Sequence, residues 1–256
     1  MGAAKRYISC CLMACLLLCG GLAIAQNEPL FEQGKEQYKN ENFTDAIANW
    51  EKVLQAGEHS AALYFNLGNA YYKLNQIGPS IYYYEKALQL APNDSDIKNN
   101  LSFAQNATVD AIEPLPQTLF AKWDQQVSEL MTYEGWAWAT VLAAIFLSLS
   151  FLMYYFSGLS GRKRIYFAGF LIGTFVMFTA LIMSYRVYDR SLNDRQAIIF
   201  AESSQIKNEP SMGGETSFIL HEGTRVQILE VDEDWFHIRI ADGKEGWIVA
   251  ADVKEL

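Results

Sequence analysis

Two runs of 21 residues, Trp136–Phe156 and Ile165–Tyr185, contain no charged side chain. As helices each would measure about 31 Å at ~1.5 Å per residue, matching a hydrocarbon core of roughly 30 Å. Only the basic stretch Ser157–Arg164 separates them. The pair is therefore predicted to form an antiparallel helical hairpin, because a helix satisfies its own backbone groups in lipid. Trp136 and Trp138 fall at one expected interface, Tyr154, Tyr155 and Tyr166 at the other, and Tyr185 and Tyr188 back at the first, as in an aromatic belt. Nothing ionisable interrupts either run, so no ion path or proton relay is indicated. Gly169-x-x-x-Gly173 suits close helix packing, most simply within the hairpin.

Outside these runs little chain remains. Of 256 residues, 51% are hydrophobic and the net charge is −9, leaving room for two small modules near the lower size limit for independent folding. Gln26–Gly135 holds 7 basic and 15 acidic residues, and Arg186–Leu256 holds 8 and 14. Both parts are acidic, which argues against nucleic acid and against anionic headgroups as ligands.

At the N-terminus, Lys5 and Arg6 precede the apolar run Ile8–Ala25, and Ala23-Ile24-Ala25 is an A-x-A cleavage pattern. Residues 1–25 read as a secretory signal. Two other readings stand beside it: a lipoprotein signal acylated at Cys15 or Cys19, or an uncleaved third span. In each case Gln26 onward is exported. All four cysteines, Cys10, Cys11, Cys15 and Cys19, lie in this stretch, so the mature chain would have no disulfide, thiol catalysis or thiolate metal site. The expected topology puts residues 26–134 outside, a first span over 135–156, a cytoplasmic loop over 157–164 with Arg162, Lys163 and Arg164, a second span over 165–185, and 186–256 outside again. Arg186, Arg190 and Arg195 equal the loop charges, so the orientation rests on the signal and not on the positive-inside count.

The exported N-terminal part repeats itself. Segment 28–58 matches 62–92 at an offset of 34, with identities Phe31/Phe65, Gly34/Gly68, Tyr38/Tyr72, Lys39/Lys73, Ile47/Ile81, Glu51/Glu85, Lys52/Lys86, Leu54/Leu88 and Gln55/Gln89. The second copy reads Tyr64-x-x-Leu67-Gly68-x-x-Tyr71, then Tyr84-x-x-Ala87, then Pro92. This pattern looks like the tetratricopeptide repeat. The first copy departs from it at Gln33, Gln37 and Glu58. Gly34 and Gly68 are expected to let paired helices approach, with the small Ala46 and Ser80 opposite them. Ser95–Asn106 carries Ile97, Leu101 and Ala104 on one face and reads as a capping helix. Residues 26–107 thus form the repeat domain.

The resemblance implies that the first helices of the repeats line a groove for extended peptides or helices. The residues placed there are Phe31, Lys35, Tyr38, Lys39, Phe65, Asn66, Asn69, Tyr72 and Lys73. The competing reading is that the aromatics pack against neighbouring helices. Residues 108–117, with Pro114 and Pro116, read as a linker. Over 118–134, Phe120, Trp123, Val127 and Leu130/Met131 make an apolar stripe, expected to lie flat at the membrane interface or else to bind a partner.

After a short linker, 186–194, the pattern turns to β. Ile198–Glu202, Ser217–Leu220, Arg225–Val231, Trp235–Ile240, 246–249 and Val253–Leu256 read as strands, with turns at Gly213-Gly214, Asp232-Glu233-Asp234 and Ala241-Asp242-Gly243. Leu220-His221-Glu222-Gly223-Thr224, Val226-x-Ile228, Asp234-Trp235 and Gly243-x-x-Gly246-Trp247-Ile248 together resemble the bacterial SH3 domain over 195–256. Phe236, Ile238 and Ile240 should face inward. Trp235, His237 and Arg239 share the outer face and form a candidate contact surface, and Trp247 is expected to be buried.

No catalytic constellation, metal-ligand set or cofactor fingerprint is found. His59, His221 and His237 are isolated, and His221-Glu222 lacks the second histidine of a zinc protease motif. Gly158-Leu159-Ser160-Gly161 is not a nucleophile elbow. The expected fold class is a multi-domain membrane protein: all-α tetratricopeptide repeats (two plus a capping helix), a two-helix transmembrane hairpin, and a small all-β bacterial SH3-like barrel. This order of parts resembles the BatE-type proteins of the Bacteroides aerotolerance operons. The resemblance implies a non-enzymatic inner-membrane protein working beside von Willebrand A-type membrane proteins in oxygen tolerance and envelope integrity. Two functions follow as expectations. One is a scaffold for other membrane proteins, with both modules periplasmic. The other is binding or sensing of cell-wall peptidoglycan through the SH3-like domain.

Overall fold

The computed structural model describes residues 28–256; the signal expected over 1–25 lies outside the described residues. Five helices come first: α1 (28–39), α2 (Phe43–Gln55), α3 (Ala61–Lys73), α4 (Ile77–Leu90) and α5 (Ser95–Asn106). They stack as two helical hairpins and a cap. The turns within the two hairpins are alike. Glu41 and Asn75, one repeat length apart, both take left-handed backbone at φ 62° and 58°, which lets the chain reverse in a few residues. Ser60 and Asp94 cap α3 and α5 by accepting backbone N–H bonds, which satisfies donors the helix leaves free.

Trp50, Leu63, Leu67, Ile81 and Tyr84 fill the helical core. The glycines do sit where paired helices approach, but the side chain against each is a ring. A Cβ at Gly34 would sit 2.3 Å from Trp50 Nε1, and one at Gly68 2.6 Å from Tyr84 Cδ1. Each glycine therefore makes room for a large ring of the second helix. Ser80 does reach its partner, donating from Oγ to the Gly68 carbonyl at 2.9 Å.

Helix α6 (Leu119–Ser128) precedes α7 (Tyr133–Phe156) and α8 (Ser160–Asn193). The last two pack antiparallel and are long and apolar enough to cross a membrane, with mean hydropathy 1.9 and 2.1. Gly169 and Gly173 of α8 face Ser150 and Phe146 of α7, so the small residues serve the hairpin itself. Two expected boundaries shift. Arg162, Lys163 and Arg164 are already helical, leaving 157–159 as the connection, and the linker expected over 186–194 is helix as far as Asn193. No glycine or proline follows Gly173 before that point, so nothing in the sequence breaks the helix where its apolar run ends.

The C-terminal module is a seven-stranded antiparallel sheet in the order β3-β2-β6-β5-β4-β1-β7. Its strands are β1 (Gln196–Ile199), β2 (Ser203–Lys207), β3 (Thr216–His221), β4 (Arg225–Asp232), β5 (Trp235–Arg239), β6 (Glu245–Val249) and β7 (Val253–Glu255). Ala197, Ile206, Leu220, Val226, Ile238 and Ile248 form its core. The strand expected over Ile198–Glu202 ends at Ile199, and a further strand, β2, follows where none was expected. Phe200 and Ala201 both donate their N–H to the Asp252 carbonyl, which breaks the extended run, and β2 then begins at Ser203. Burial alternates along it, with Ser204 and Ile206 inward, but only Ile206 of Ser-Ser-Gln-Ile-Lys is apolar, so the sequence shows no hydrophobic alternation.

The two modules touch directly. Ile198 belongs to the helical core, and Phe200 meets Tyr82 edge-on with centroids 5.5 Å apart. Lys254 Nζ lies 4.6 Å from the Tyr82 ring centroid and 5.4 Å from that of Phe200, a cation held over aromatic faces. The segment 108–117 is a strap across the sheet. Ile112 packs on the β core, and Leu115 donates its N–H to the Ala241 carbonyl at 3.0 Å.

Candidate functional site

Three surfaces hold the residues that could contact a partner. On the repeats, the aromatic positions divide by burial. Phe31 and Phe65 are half-buried against the helical core, and Phe65 lies 5.9 Å from Tyr84 between centroids. Tyr38 is wedged between Phe43 and Trp50, at 5.2 and 6.1 Å, and burial pushes its phenol pKa up. Tyr72 is 38% exposed, so the two tyrosines equivalent by repeat are not equivalent by environment.

The polar positions divide likewise. Asn69 Oδ1 accepts from Tyr84 Oη at 2.7 Å and from Asn100 Nδ2 at 2.8 Å, tying α3, α4 and α5 together. Lys35 pairs with Glu32 at 2.8 Å and lies over the Phe31 ring. Lys39 and Lys73 are exposed, and Asn66 is half-buried. Tyr72, Lys73 and Lys39 are therefore the members of the proposed set with side chains free to meet a ligand. Among the described residues, the others are engaged in packing or in bonds already made, Asn66 apart.

On the sheet, β4, β5 and β6 align three outward rows. Asp232, Trp235 and Val249 form one, Glu230, His237 and Trp247 the next, and Gln227, Arg239 and Glu245 the third. His237 stacks on Trp247 at 4.9 Å and 26°, and Arg239 pairs with Glu245 at 2.6 Å. Trp247, expected to be buried, is half-buried on this same face. Alternation carries the reason: Ile248 is buried in the core, so its neighbour must point outward. The outer face is therefore an aromatic centre of Trp235, His237 and Trp247 with charged edges.

The third surface, the junction between modules, was not marked by any local pattern. Glu85 is 8% exposed and meets Arg225 at 3.2 Å. Burial raises the Glu85 pKa, and the Arg225 charge only partly opposes that. Asp110 of the strap accepts from His221 and Thr224. Glu222 accepts from the Gly78 N–H at 3.3 Å. No group of three or more metal-ligating side chains is gathered among the described residues. The arrangement offers packing and hydrogen-bonding surfaces to a ligand.

Comparison with known proteins agrees with the two halves separately. Residues 31–95 match the tetratricopeptide repeat family and residues 204–254 the bacterial SH3 domain family. No curated protein matches. Among solved structures, the chain is similar to an NlpC/P60 family protein from Bacillus cereus ATCC 10987, at 15% identity and a TM-score of 0.22. That likeness covers 28% of this chain and 23% of the other, so less than a quarter of that protein is spanned.

Proposed function

We propose that the protein is a non-enzymatic, membrane-anchored scaffold that holds other membrane proteins through a head built of repeats and SH3-like sheet. The supporting observation is the junction itself. Glu85 with Arg225, Asp110 with His221, and Tyr82 with Phe200 join the two modules into one body, and both ends of the α7–α8 hairpin lead into that body. In this reading α7 and α8 span the bacterial inner membrane, the head is periplasmic, and the 157–159 turn is cytoplasmic. The resemblance in domain order to the BatE-type proteins supports partners of the von Willebrand A type and a part in aerotolerance or envelope integrity.

Photo-crosslinking in intact membranes tests this reading, with the crosslinker placed at Tyr72 and, separately, at Arg239. Adducts to discrete membrane proteins are the expected result. Adducts to lipid alone, or none, would refute the scaffold. Tyr72→Ala with Lys73→Ala should weaken capture at the repeat surface without unfolding the head, because both side chains are exposed.

The outward, half-buried Trp235–His237–Trp247 face favours a second reading, binding of peptidoglycan peptides. The full chain in lipid nanodiscs should then sediment with purified wall material, and Trp247→Ala should abolish that. The full chain is needed because the sheet lends Ile198 to the helical core and takes Ile112 from the strap. Absence of sedimentation removes this second reading.

A further inference from the structure

Helix α6 turns an unpartnered apolar arc outward. At about 100° per residue, Leu119, Phe120, Trp123 and Val127 share one side of the helix. Leu119 is 84% exposed, Phe120 85% and Trp123 59%. The neighbouring position, Asp124, is committed elsewhere: it pairs with Arg186 at 2.8 Å and Arg190 at 3.2 Å on α8. Arg186 is the first charge after the apolar run of α8 closes at Tyr185, and Arg190 follows it four residues on. At ~1.5 Å per residue they lie within roughly 8 Å of that end along the axis.

The pairing fixes the depth of α6. On the spanning reading of α8, this puts the helix at the level where an acyl region gives way to headgroups, not farther out in water. The corner that follows is held at the same level, because Ser184 donates to the Tyr133 carbonyl and the Tyr133 ring meets Tyr188 at 5.9 Å. The head rests on this corner, since Asn93 in the α4–α5 turn donates to the Leu130 carbonyl.

We propose that the Leu119–Phe120–Trp123 arc is seated in the headgroup layer of the bilayer that α7 and α8 cross, and that α6 thereby braces the head against lipid. The inference rests on the spanning reading of the hairpin. Lipid is the occupant the geometry selects, because the arc is continuous with the hairpin and carries the Trp and Phe side chains that favour an interface. Apolar contact drives it: the helix holds one cation, Lys122, and one anion, Asp124, and the latter is engaged. A neutral phosphatidylcholine surface therefore suffices.

The test uses the full chain with Cys10, Cys11, Cys15 and Cys19 each changed to alanine, in phosphatidylcholine vesicles. Single cysteines replace Leu119, Phe120 or Gln125, and each carries an environment-sensitive fluorophore. Phe103→Cys marks the aqueous head and Phe175→Cys the mid-span; both parent side chains are well exposed, at 64% and 74%. Labels at Leu119→Cys and Phe120→Cys should be quenched by headgroup spin-labelled lipid roughly twofold more than one at Gln125→Cys on the opposite side. They should also be shielded from aqueous iodide. Quenching like that of Phe103→Cys overturns the proposal. Shielding from both iodide and lipid quenchers also overturns it, because a protein surface or a second copy would then cover the arc. If the Phe175→Cys label escapes chain-labelled lipid, the spanning reading fails, a result distinct from failure at α6 alone.

Discussion

Asp110 receives both the backbone N–H and the ring Nδ1 of His221, each at 2.7 Å, across 111 residues of chain. Thr224 Oγ1 adds a third bond at 2.6 Å. Burial works to raise the Asp110 pKa, but the bonds from Thr224 and His221 outweigh it and hold the carboxyl below its usual range. A depressed carboxylate contributes stability in full above its unfolded value, near 3.8, and loses it as pH falls through the folded value. Asp110→Asn should cost about 1–3 kcal/mol at neutral pH. It should also flatten the loss of stability below about pH 4, read by thermal unfolding across pH.

Glu85 carries the opposite sign. Burial raises its pKa more than Arg225 lowers it, so the folded state holds the proton more tightly than the unfolded chain does. That contribution is fully present below the unfolded value, near 4.5, and declines as pH rises through the folded value. Glu85→Gln should therefore match or exceed the parent by up to about 1 kcal/mol at neutral pH. Arg225→Ala leaves a buried carboxylate without its cation and should cost about 2 kcal/mol, reduced because the arginine is half in solvent. Most of that loss should vanish in the Glu85→Gln background, as a double-mutant cycle would show.

What the chain declares locally is legible in its sequence, and what it joins across distance is not. The 34-residue offset fixes Gly34 and Gly68, Trp50 and Tyr84, and with them the helical hairpins, because each repeat answers to its neighbour. Asn106 closes α5 where its apolar spacing stops. By contrast Glu85 and Arg225 stand 140 residues apart, and nothing near either one marks a partner. Pro114 and Pro116 announce an irregular segment but not that Ile112 and Leu115 would lie on the sheet. Strand β2 escapes notice because its polar side chains hide the alternation, and Trp247 points outward because the buried Ile248 beside it fixes the register.

The repeat aromatics give a third prediction. Tyr38→Ala removes a ring packed on Phe43 and Trp50 and should cost about 2–4 kcal/mol, in the range for large-to-small core changes. Tyr72→Ala, at the equivalent position one repeat on, should stay within about 0.5 kcal/mol of the parent. Chemical denaturation of the two variants checks the difference. Equal losses would mean that both tyrosines serve the core and that Tyr72 is no contact residue.

The two modules meet backbone to backbone where Gly78 of α4 faces Ile199 and Gly223 of the sheet module. A Cβ at Gly78, in the first turn of α4, would stand 2.8 Å from the Ile199 carbonyl oxygen and 3.3 Å from the Gly223 nitrogen. Those two groups are themselves joined by a 2.9 Å hydrogen bond, so neither yields easily. Gly223 has φ +84°, and a Cβ there would meet Thr108 Cγ2 at 2.8 Å, adding backbone strain to a clash. Gly78→Ala should therefore part the sheet from α4 and destabilise the head by about 1–3 kcal/mol, while the helical and strand content stays intact. The strap over 108–117, whose Thr108 end sits beside Gly223 at this same contact, should be cut faster by protease. Gly213→Ala is the comparison, since its nearest neighbour would be 3.7 Å away and its cost should be within about 0.5 kcal/mol. If Gly78→Ala proves as silent as Gly213→Ala in both unfolding and proteolysis, the modules move independently and the head is not a single body.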